Sequence, residues 1–370
     1  MQIMKTIQKV PGGMMVVPLM LGALLNTVDQ MHIQFIMDFL KWLGVSQQKG
    51  GFYEFLRIGG FSEALFKTGA LTLIACFLFC CGTQMNLRVG GIALKKGLIL
   101  TTSKYFVGLG IGFAWGTLSG DMFNGFLGLS AMAIIAALTN GNGGMYGALT
   151  GQFGNRSDVG ALSVLSLNDG PFFTLMALGM LGSNFPFIAF IAVLLPIVIG
   201  MMIGNMDPEM RAFFKPGETL PVPFFAFALG AGMNFATFLN PSVVVGGLAL
   251  GVMTVVFTGV AAHFWFWVFR EKSYIGAWAE ASTAGNAVGT PAAIAAAAAV
   301  AAAAGGMSAA EAKAFQDIAG IATLQISIST LSTAIMCPLA VILIDKWQRR
   351  RGIDGKAESG EQGTLAAQPA

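Results

Sequence analysis

Charged residues are scarce in this 370-residue chain: Asp, Glu, Lys and Arg make up only 11% of it, whereas 55% is hydrophobic. A soluble domain carries about a quarter of its residues as charges, so this composition excludes an ordinary soluble enzyme or binding module. The net charge of +3 gives no reason to expect a nucleic-acid partner. The sequence therefore indicates a membrane protein whose surroundings are the lipid bilayer.

Cysteine and histidine are also rare. All four cysteines fall inside apolar runs, which argues against a disulfide framework or a paired metal site. Neither of the two histidines has the spacing of a metal ligand. An intramembrane metalloenzyme is therefore disfavoured, no metal site is predicted, and no cofactor is expected.

Apolar runs, by contrast, are long and numerous. Ten of them approach or exceed the ~20 residues that cross a hydrocarbon core, which predicts an all-α polytopic fold with ten transmembrane helices. The predicted spans are residues 10–28, 64–86, 95–117, 123–153, 158–183, 186–204, 220–239, 244–270, 273–303 and 316–346. The polar tail, residues 352–370, is predicted to be disordered.

The distribution of Lys and Arg predicts the orientation of these spans. With the N-terminus in the cytoplasm, 15 of the 21 Lys and Arg residues lie on the cytoplasmic side and five on the opposite side. Positive residues accumulate in cytoplasmic loops. Both chain termini are therefore predicted to be cytoplasmic.

Short polar strings occur twice in the same order. GTQMN at Gly82–Asn86 returns as GAGMN at Gly230–Asn234, an offset of 148 residues, and TNGN at Thr139–Asn142 returns as TAGN at Thr283–Asn286, an offset of 144. PLMLGALLN at Pro18–Asn26 in span one similarly resembles PIVIGMMIGN at Pro196–Asn205 in span six, at an offset of 178. The chain is thus predicted to contain two five-helix repeats, residues 1–184 and 185–351, and because five is odd, the second repeat is inverted.

The offset of 178 exceeds the other two by about thirty residues, and most of this excess comes from a loop, residues 29–63, which appears only in the first repeat. Within it, the segment HIQFIMDFLKWLG is predicted to form an amphipathic helix in the outer membrane interface.

The second pair of strings interrupts spans four and nine with helix-breaking residues. Irregular backbone cannot face lipid, so the two breaks are expected to be buried against each other or to line a watery cavity. Where a second half-helix starts, near Gly143 and near Pro291, free N–H groups and the positive end of the helix dipole favour an anion. Two such breaks in register predict the binding site of a transporter.

Two acidic residues lie within the predicted spans and away from their ends. Asp169 is in span five, within SLNDGP, and Glu280 precedes TAGN in span nine. A carboxylate within a membrane must be protonated, paired or hydrated, which makes both residues candidate proton carriers. Lys104, in span three, has a stem long enough to reach the interface and is predicted to snorkel there.

Several strings resemble those of a known family, the 2-keto-3-deoxygluconate permeases, which are bacterial inner-membrane proton symporters. The resemblance covers about residues 8–350 and rests on VPGGMMVVPLMLGALLNT (Val10–Thr27), GGF (Gly59–Phe61), NLR (Asn86–Arg88), NGGMY (Asn142–Tyr146), NMDPEMRAFF (Asn205–Phe214) and PFFAFALG (Pro223–Gly230). It implies a fold similar to the bile-acid sodium symporters, with broken helices 4 and 9 crossing in the core.

The resemblance also implies inward transport of a small sugar-acid anion with protons. On this reading the substrate-binding residues are Thr139, Asn140, Asn142, Gly143, Gly144, Asn168, Thr283 and Asn286, and the proton-coupling residues are Asp169 and Glu280. The chain departs from the family pattern at two places: family members carry an acidic residue where this chain has Thr139, and they carry Glu in an SLESGP-like string where this chain has Asn168 followed by Asp169.

Two alternatives stay open. A sodium-coupled carrier of another small organic anion would have the same broken helices, and a sensor or passive channel would not concentrate substrate. A homo-oligomer is also compatible with the sequence.

Overall fold

Helix is the only regular structure in the residues that the computed structural model describes, which are 2–7, 9–10, 13–48, 50–85, 91–165, 168 and 170–357. The α-helices are α1 Ile3–Ile7, α2 Gly13–Gln30, α3 Gln34–Trp42, α4 Gly60–Glu63, α5 Ala70–Gln84, α6 Gly91–Ser119, α7 Ala131–Thr139, α8 Gly143–Phe153, α9 Arg156–Leu165, α10 Phe172–Met180, α11 Phe187–Met206, α12 Pro208–Phe214, α13 Val222–Gly230, α14 Pro241–Met253, α15 Gly259–Val268, α16 Ile275–Ala279, α17 Thr290–Ala303 and α18 Ala309–Arg350. The all-α prediction is confirmed for these residues.

Six helices of the described chain are long and apolar enough to cross a membrane. They are Gly13–Gln30, Gly91–Ser119, Phe187–Met206, Pro241–Val268, Asn286–Ala303 and Ala309–Arg350. Gly60–Thr68 and Ala70–Gln84 together would form a further span that is bent by 71°. The other predicted spans consist of shorter helices, so the number of ten crossings stays a prediction.

Span five was predicted as one segment over residues 158–183, but it is not one continuous helix. The structure has two helices there, α9 and α10, separated by the SLNDGP string. Gly170 adopts a φ of 99°, which glycine accepts without strain, and Pro171 cannot donate a helical hydrogen bond. Asn168 lies in this gap and is buried, whereas Asp169 lies outside the described residues.

Helices α2, α5, α11 and α13 pack together and are called the four-helix unit below. Glycines bring their backbones into contact: a methyl group added at Gly22 would collide with the carbonyl oxygen of Phe227, and one added at Gly200 with that of Phe79. Phe79 and Phe227 are 148 residues apart, and Gly22 and Gly200 are 178 apart. The α2–α13 contact therefore recurs as the α11–α5 contact, at the offsets of the repeated strings.

Side-chain hydrogen bonds recur in the same way. Asn26 Nδ2 donates to the Met233 carbonyl oxygen at 2.9 Å, and Asn205 Nδ2 donates to the Met85 carbonyl oxygen at 2.7 Å. Met85 and Met233 occupy the same position in GTQMN and GAGMN. The first bond links the end of α2 to the residues that follow α13, and the second links the end of α11 to the residue that follows α5.

The remaining long helices form a second group, the crossing unit, made of α6–α10 and α14–α18. In it α6 packs on α7 and α9, while α18 packs on α14 and α17. It contacts the four-helix unit through apolar side chains: Gly289, just before α17, lies against Ile74 and Phe225. Ala284 and Val288 belong to the same buried apolar cluster.

Outside these units, the loop 29–63 contains α3 over part of the segment predicted as amphipathic. Phe35 and Trp42 on α3 are 81% and 78% exposed, whereas Leu40 is buried. Asp29 anchors the loop, because its carboxylate accepts hydrogen bonds from the N–H groups of Phe55 and Leu56 at 2.8 and 2.9 Å.

The start of the predicted disordered tail packs on the crossing unit. Asn155 Nδ2 donates to the Ala357 carbonyl oxygen at 3.0 Å, and a methyl group added at Gly355 would press on the Phe153 carbonyl oxygen. The rest of the tail, residues 358–370, lies outside the described residues.

Candidate functional site

The two breaks predicted in spans four and nine touch each other. The first break lies between α7 and α8, and the second lies between α16 and a 3₁₀ turn, Asn286–Gly289, that leads into α17. The N–H of Ala284 donates to the Asn140 carbonyl oxygen at 3.2 Å, and the N–H of Asn142 donates to Ser282 Oγ at 3.1 Å. One main-chain bond and one bond to a serine hydroxyl therefore join the two breaks directly.

Asparagine side chains account for the shape of the first break. Asn140 and Asn142 both have extended backbone conformations. Asn140 Nδ2 bonds back to the Ala136 carbonyl oxygen at 2.8 Å, and Asn142 Oδ1 accepts the N–H of Met145 at 3.0 Å. Asn142 thus caps α8. Short polar side chains that bond the local backbone end one helix and start the next.

A cavity of about 560 Å³ reaches this crossing from one side of the protein. Its inner end is lined by Gly141, Asn142, Gly143, Gly144, Ala284, Gly285 and Asn286, and its outer part includes Val10, Gly13, Met14, Glu218 and Thr219. The first N–H groups of α8 have no partner within the helix, and they lie at the inner end. The cavity is of a size typical of small-molecule sites.

Four of the predicted binding residues, Asn142, Gly143, Gly144 and Asn286, line this cavity. Others are buried inside the protein and use their side chains there: Thr139 Oγ1 donates to the Ile135 carbonyl oxygen at 2.8 Å, and Thr283 Oγ1 lies 2.7 Å from Ser329 Oγ. Asn140 is likewise fully buried. These residues stabilise the conformation of the two breaks but do not line the cavity.

The predicted half-helix start near Pro291 agrees with the structure to within one residue. Helix α17 begins at Thr290, and both Thr290 and Pro291 are buried. The preceding turn, Asn286–Gly289, brings Asn286 to the cavity. The two breaks therefore present different structures to the cavity: the first presents the start of an α-helix, and the second presents a 3₁₀ turn.

Lys104 is the residue that the sequence-based prediction missed. It extends from α6 into the crossing and is only 1% exposed. Its Nζ donates to three carbonyl oxygens, those of Asn140 at 3.2 Å, Glu280 at 2.9 Å and Ser282 at 2.8 Å. Lys104 therefore contacts both breaks and does not snorkel. Its distance of nine residues from the start of its predicted span was the signal that it lies too deep to reach the interface.

Glu280 is paired with Lys104 and lies directly behind the cavity wall. Its Oε1 is 3.5 Å from Lys104 Nζ, and both side chains are buried. A methyl group added at Gly141 would collide with the Glu280 carboxylate. The side chain of Asn168 also lies beside this carboxylate. The predicted proton carrier and one predicted binding residue are thus brought together at the crossing.

The crossing separates charge between its two faces. Helices α7 and α16 end there, with Asn140 and Glu280 as their C-caps, and the carbonyl-rich ends of helices favour a cation. That cation is the Lys104 ammonium. On the opposite face, α8 presents its N-terminus to the cavity, which favours an anion.

Two hydroxyl groups form hydrogen bonds with the main chain of the second break. The N–H of Thr283 donates to Thr333 Oγ1 at 3.2 Å, and Thr330 Oγ1 donates to the Ala284 carbonyl oxygen at 3.2 Å. Both threonines come from α18. They are three residues apart and therefore lie on one face of the helix. This spacing can be seen in the sequence, but it does not reveal that the face contacts span nine.

One acidic side chain, Glu218, lies at the outer part of the cavity. Burial raises the pKa of its carboxyl above the ordinary value, and nearby Lys215 opposes this rise. Glu218 lies outside the predicted spans. A carboxyl that takes up protons more readily repels an incoming anion less.

The comparison with known proteins identifies the family. A model of the family described as 2-keto-3-deoxygluconate permease matches residues 4–46 and 50–350. The chain belongs to this family. It is 43% identical over 357 residues to 2-keto-3-deoxygluconate permease 1 of Salmonella typhimurium, which covers 95% of this chain and 98% of the relative. It is 33% identical over 357 residues to the 2-keto-3-deoxygluconate permease of Bacillus subtilis, with 94% of each chain covered.

Among solved structures, the chain resembles that of the sodium proton antiporter MjNhaP1 from Methanocaldococcus jannaschii. The TM-score is 0.53 at 14% sequence identity, over 94% of this chain and all of the other. At that identity the likeness concerns the fold alone. Membership in a permease family, together with the apolar helices, shows a multi-pass membrane transport protein rather than an enzyme.

Proposed function

We propose that this protein imports 2-keto-3-deoxygluconate, a small sugar-acid anion, across the bacterial inner membrane by proton symport. The family match and the names of the relatives support the substrate. The observation that carries the proposal is the cavity that ends at the first turn of α8, where main-chain N–H groups and the helix dipole can receive a carboxylate. Asn142 and Asn286, on its wall, can bond the sugar hydroxyls.

The proposal includes ten spans in two inverted repeats. It is supported by contacts that recur at the offsets of the repeated strings: Gly22 with Phe227 and Gly200 with Phe79. If the N-terminus is cytoplasmic, as the Lys and Arg distribution predicts, the start of α2 is on the cytoplasmic side. The cavity then opens inward, because Val10 and Gly13 line its outer part.

Coupling is assigned to a proton on Glu280, with Asp169 as the second candidate. Glu280 lies one glycine away from the cavity, and its counter-ion Lys104 is also bonded to three carbonyl groups. Those carbonyls keep the ammonium satisfied when the carboxylate takes up a proton. Glu280 can therefore change its charge without leaving Lys104 without partners.

The test is uptake of 2-keto-3-deoxygluconate by proteoliposomes that contain the purified protein. We expect concentrative uptake when the lumen is more alkaline than the outside, and its loss when a protonophore collapses the gradient. Uptake that follows a sodium gradient at fixed pH would instead support a sodium-coupled carrier. Equilibration without accumulation would indicate a passive channel.

The cavity asparagines should determine affinity. Asn286→Ala and Asn142→Ala should each weaken substrate binding by about 1–3 kcal/mol, roughly 5- to 150-fold in Kd, because a buried polar partner is lost. Isothermal titration calorimetry of the purified variants measures the effect. Asn142→Ser is the matched control, since serine also caps helices but cannot reach as far. Unchanged Kd values in both alanine variants would restrict these residues to a structural role.

Substitution of the coupling carboxylates should affect substrate exchange and gradient-driven uptake differently. Glu280→Gln should retain exchange of labelled for unlabelled substrate, which needs no net proton movement, yet lose accumulation driven by a pH gradient. Asp169→Asn should show the same separation if the two groups share the proton. Both assays use the same proteoliposomes. Full accumulation by Glu280→Gln, with loss in Asp169→Asn alone, would move the proton to Asp169.

A further inference from the structure

The Lys104 ammonium occupies a position built from oxygen atoms of two helix breaks. Three carbonyl oxygens point at Nζ, from Asn140 in the first break and from Glu280 and Ser282 in the second. A fourth oxygen, Oε1 of Glu280, lies 3.5 Å away. Carbonyl and carboxylate oxygens are the ligands that hard metal cations prefer, and main-chain carbonyls replace the hydration shell of monovalent ions in channels.

The origin of these oxygens distinguishes this site from an ordinary buried ion pair. The same helix carries a second buried lysine, Lys96, whose Nζ bonds the side-chain oxygens of Asn155 and Asp158 at 3.0 and 2.7 Å. Those two partners lie three residues apart in one segment. The partners of Lys104 are main-chain groups from the breaks of two broken helices, where transporters hold their coupling ions.

We propose that Lys104 is a tethered cation that fills a monovalent metal-ion site at the crossing, and that the transporter is for this reason independent of sodium. The independence of sodium rests on the proposed transport function, whereas the existence of the cation site does not depend on that function. The ammonium supplies the positive charge that holds the C-terminal ends of α7 and α16 together. No metal ion then needs to enter or leave during transport, and the proton remains as the coupling ion.

The experiment removes the tether and offers the metal ion. In Lys104→Ser the ammonium is gone while the three carbonyl oxygens and the Glu280 carboxylate stay. We expect NaCl or KCl to raise the unfolding midpoint of the purified variant by about 5 °C over choline chloride at equal ionic strength. The wild type should show no difference between the salts. Lys104→Ala, which also leaves the site empty, replaces the serine variant if the latter is not recovered in folded form.

Lys96→Ser is the matched control, because it also leaves a buried carboxylate, that of Asp158, without its lysine. It should show no preference for sodium or potassium over choline. An equal response of the two serine variants would mean that any unpaired carboxylate recruits a cation, and the carbonyl site would be rejected. A folded Lys104 variant that responds to neither salt would reject it as well.

Uptake provides an independent readout. Wild-type proteoliposomes should accumulate substrate equally with sodium or choline outside, whereas Lys104→Ser should need sodium or potassium. Sodium-dependent uptake by the wild type would overturn the proposal. If the substrate itself were wrong, no protein would take it up in any salt, while the unfolding midpoints would still decide whether the cation site exists.

Discussion

Replacing Lys104 with methionine is expected to lower the free energy of unfolding by about 3–5 kcal/mol in choline buffer, the largest stability effect at this crossing. Methionine fills a similar volume but leaves the Glu280 carboxylate as an unpaired buried charge, which is the costly outcome for such pairs. It also removes one hydrogen bond from each of three carbonyl groups. Denaturant unfolding of the detergent-solubilised protein measures the loss.

Two comparisons identify the cause of that loss. Lys104→Met/Glu280→Gln should recover at least half of the stability, because the unpaired charge has been removed. Lys313→Met should cost less than about 1 kcal/mol, since its ion pair with Asp317 is exposed to solvent, with side chains 70% and 60% accessible. If Lys104→Met were no more destabilising than Lys313→Met, the pair with Glu280 would not stabilise the crossing.

Gly141→Ala is expected to reduce uptake to background. The added methyl group would collide with the Glu280 carboxylate, so either the carboxylate must leave Lys104 or the two breaks must separate. Overpacking of this kind costs about 1–3 kcal/mol in stability, whereas transport depends on the geometry that is displaced. Uptake by proteoliposomes containing equal amounts of folded protein measures the effect.

Gly285→Ala is the control for this substitution. Gly285 lines the same cavity from the second break, and a methyl group there would meet no atom within 4 Å. Its backbone has an ordinary helical conformation, with φ of −62° and ψ of −38°. It should retain most of the uptake. If Gly141→Ala transported as well as Gly285→Ala, close packing against Glu280 would not matter for function.

The part of the site that the sequence could predict is the part encoded by local chemistry. TNGN and TAGN disfavour a continuous helix, because asparagine bonds its own backbone and glycine adds flexibility. Their recurrence in two halves predicted that the breaks belong together. The main-chain bond between Ala284 and Asn140 shows that they touch.

The part that could not be predicted depends on which helix faces the breaks. Lys104 follows apolar and hydroxyl residues that give no hint of a partner 176 residues away in Glu280. Likewise, Thr330 and Thr333 belong to a helix whose pattern does not reveal contact with span nine. The break in span five follows from Gly170–Pro171, which disfavours a continuous helix, but the apolar residues on both sides of it predict a single span.

The apolar contact between the four-helix unit and the crossing unit bears on how the cavity could open to the other side. Ile74 and Phe225 meet the backbone at Gly289 through van der Waals contacts alone, which have no preferred direction and can be exchanged for new ones at little cost. We infer that an apolar surface of this kind allows the crossing unit to move along it as one piece. Lys104 and the carbonyls that it binds would travel together, so the shift would break no ionic contact at the crossing.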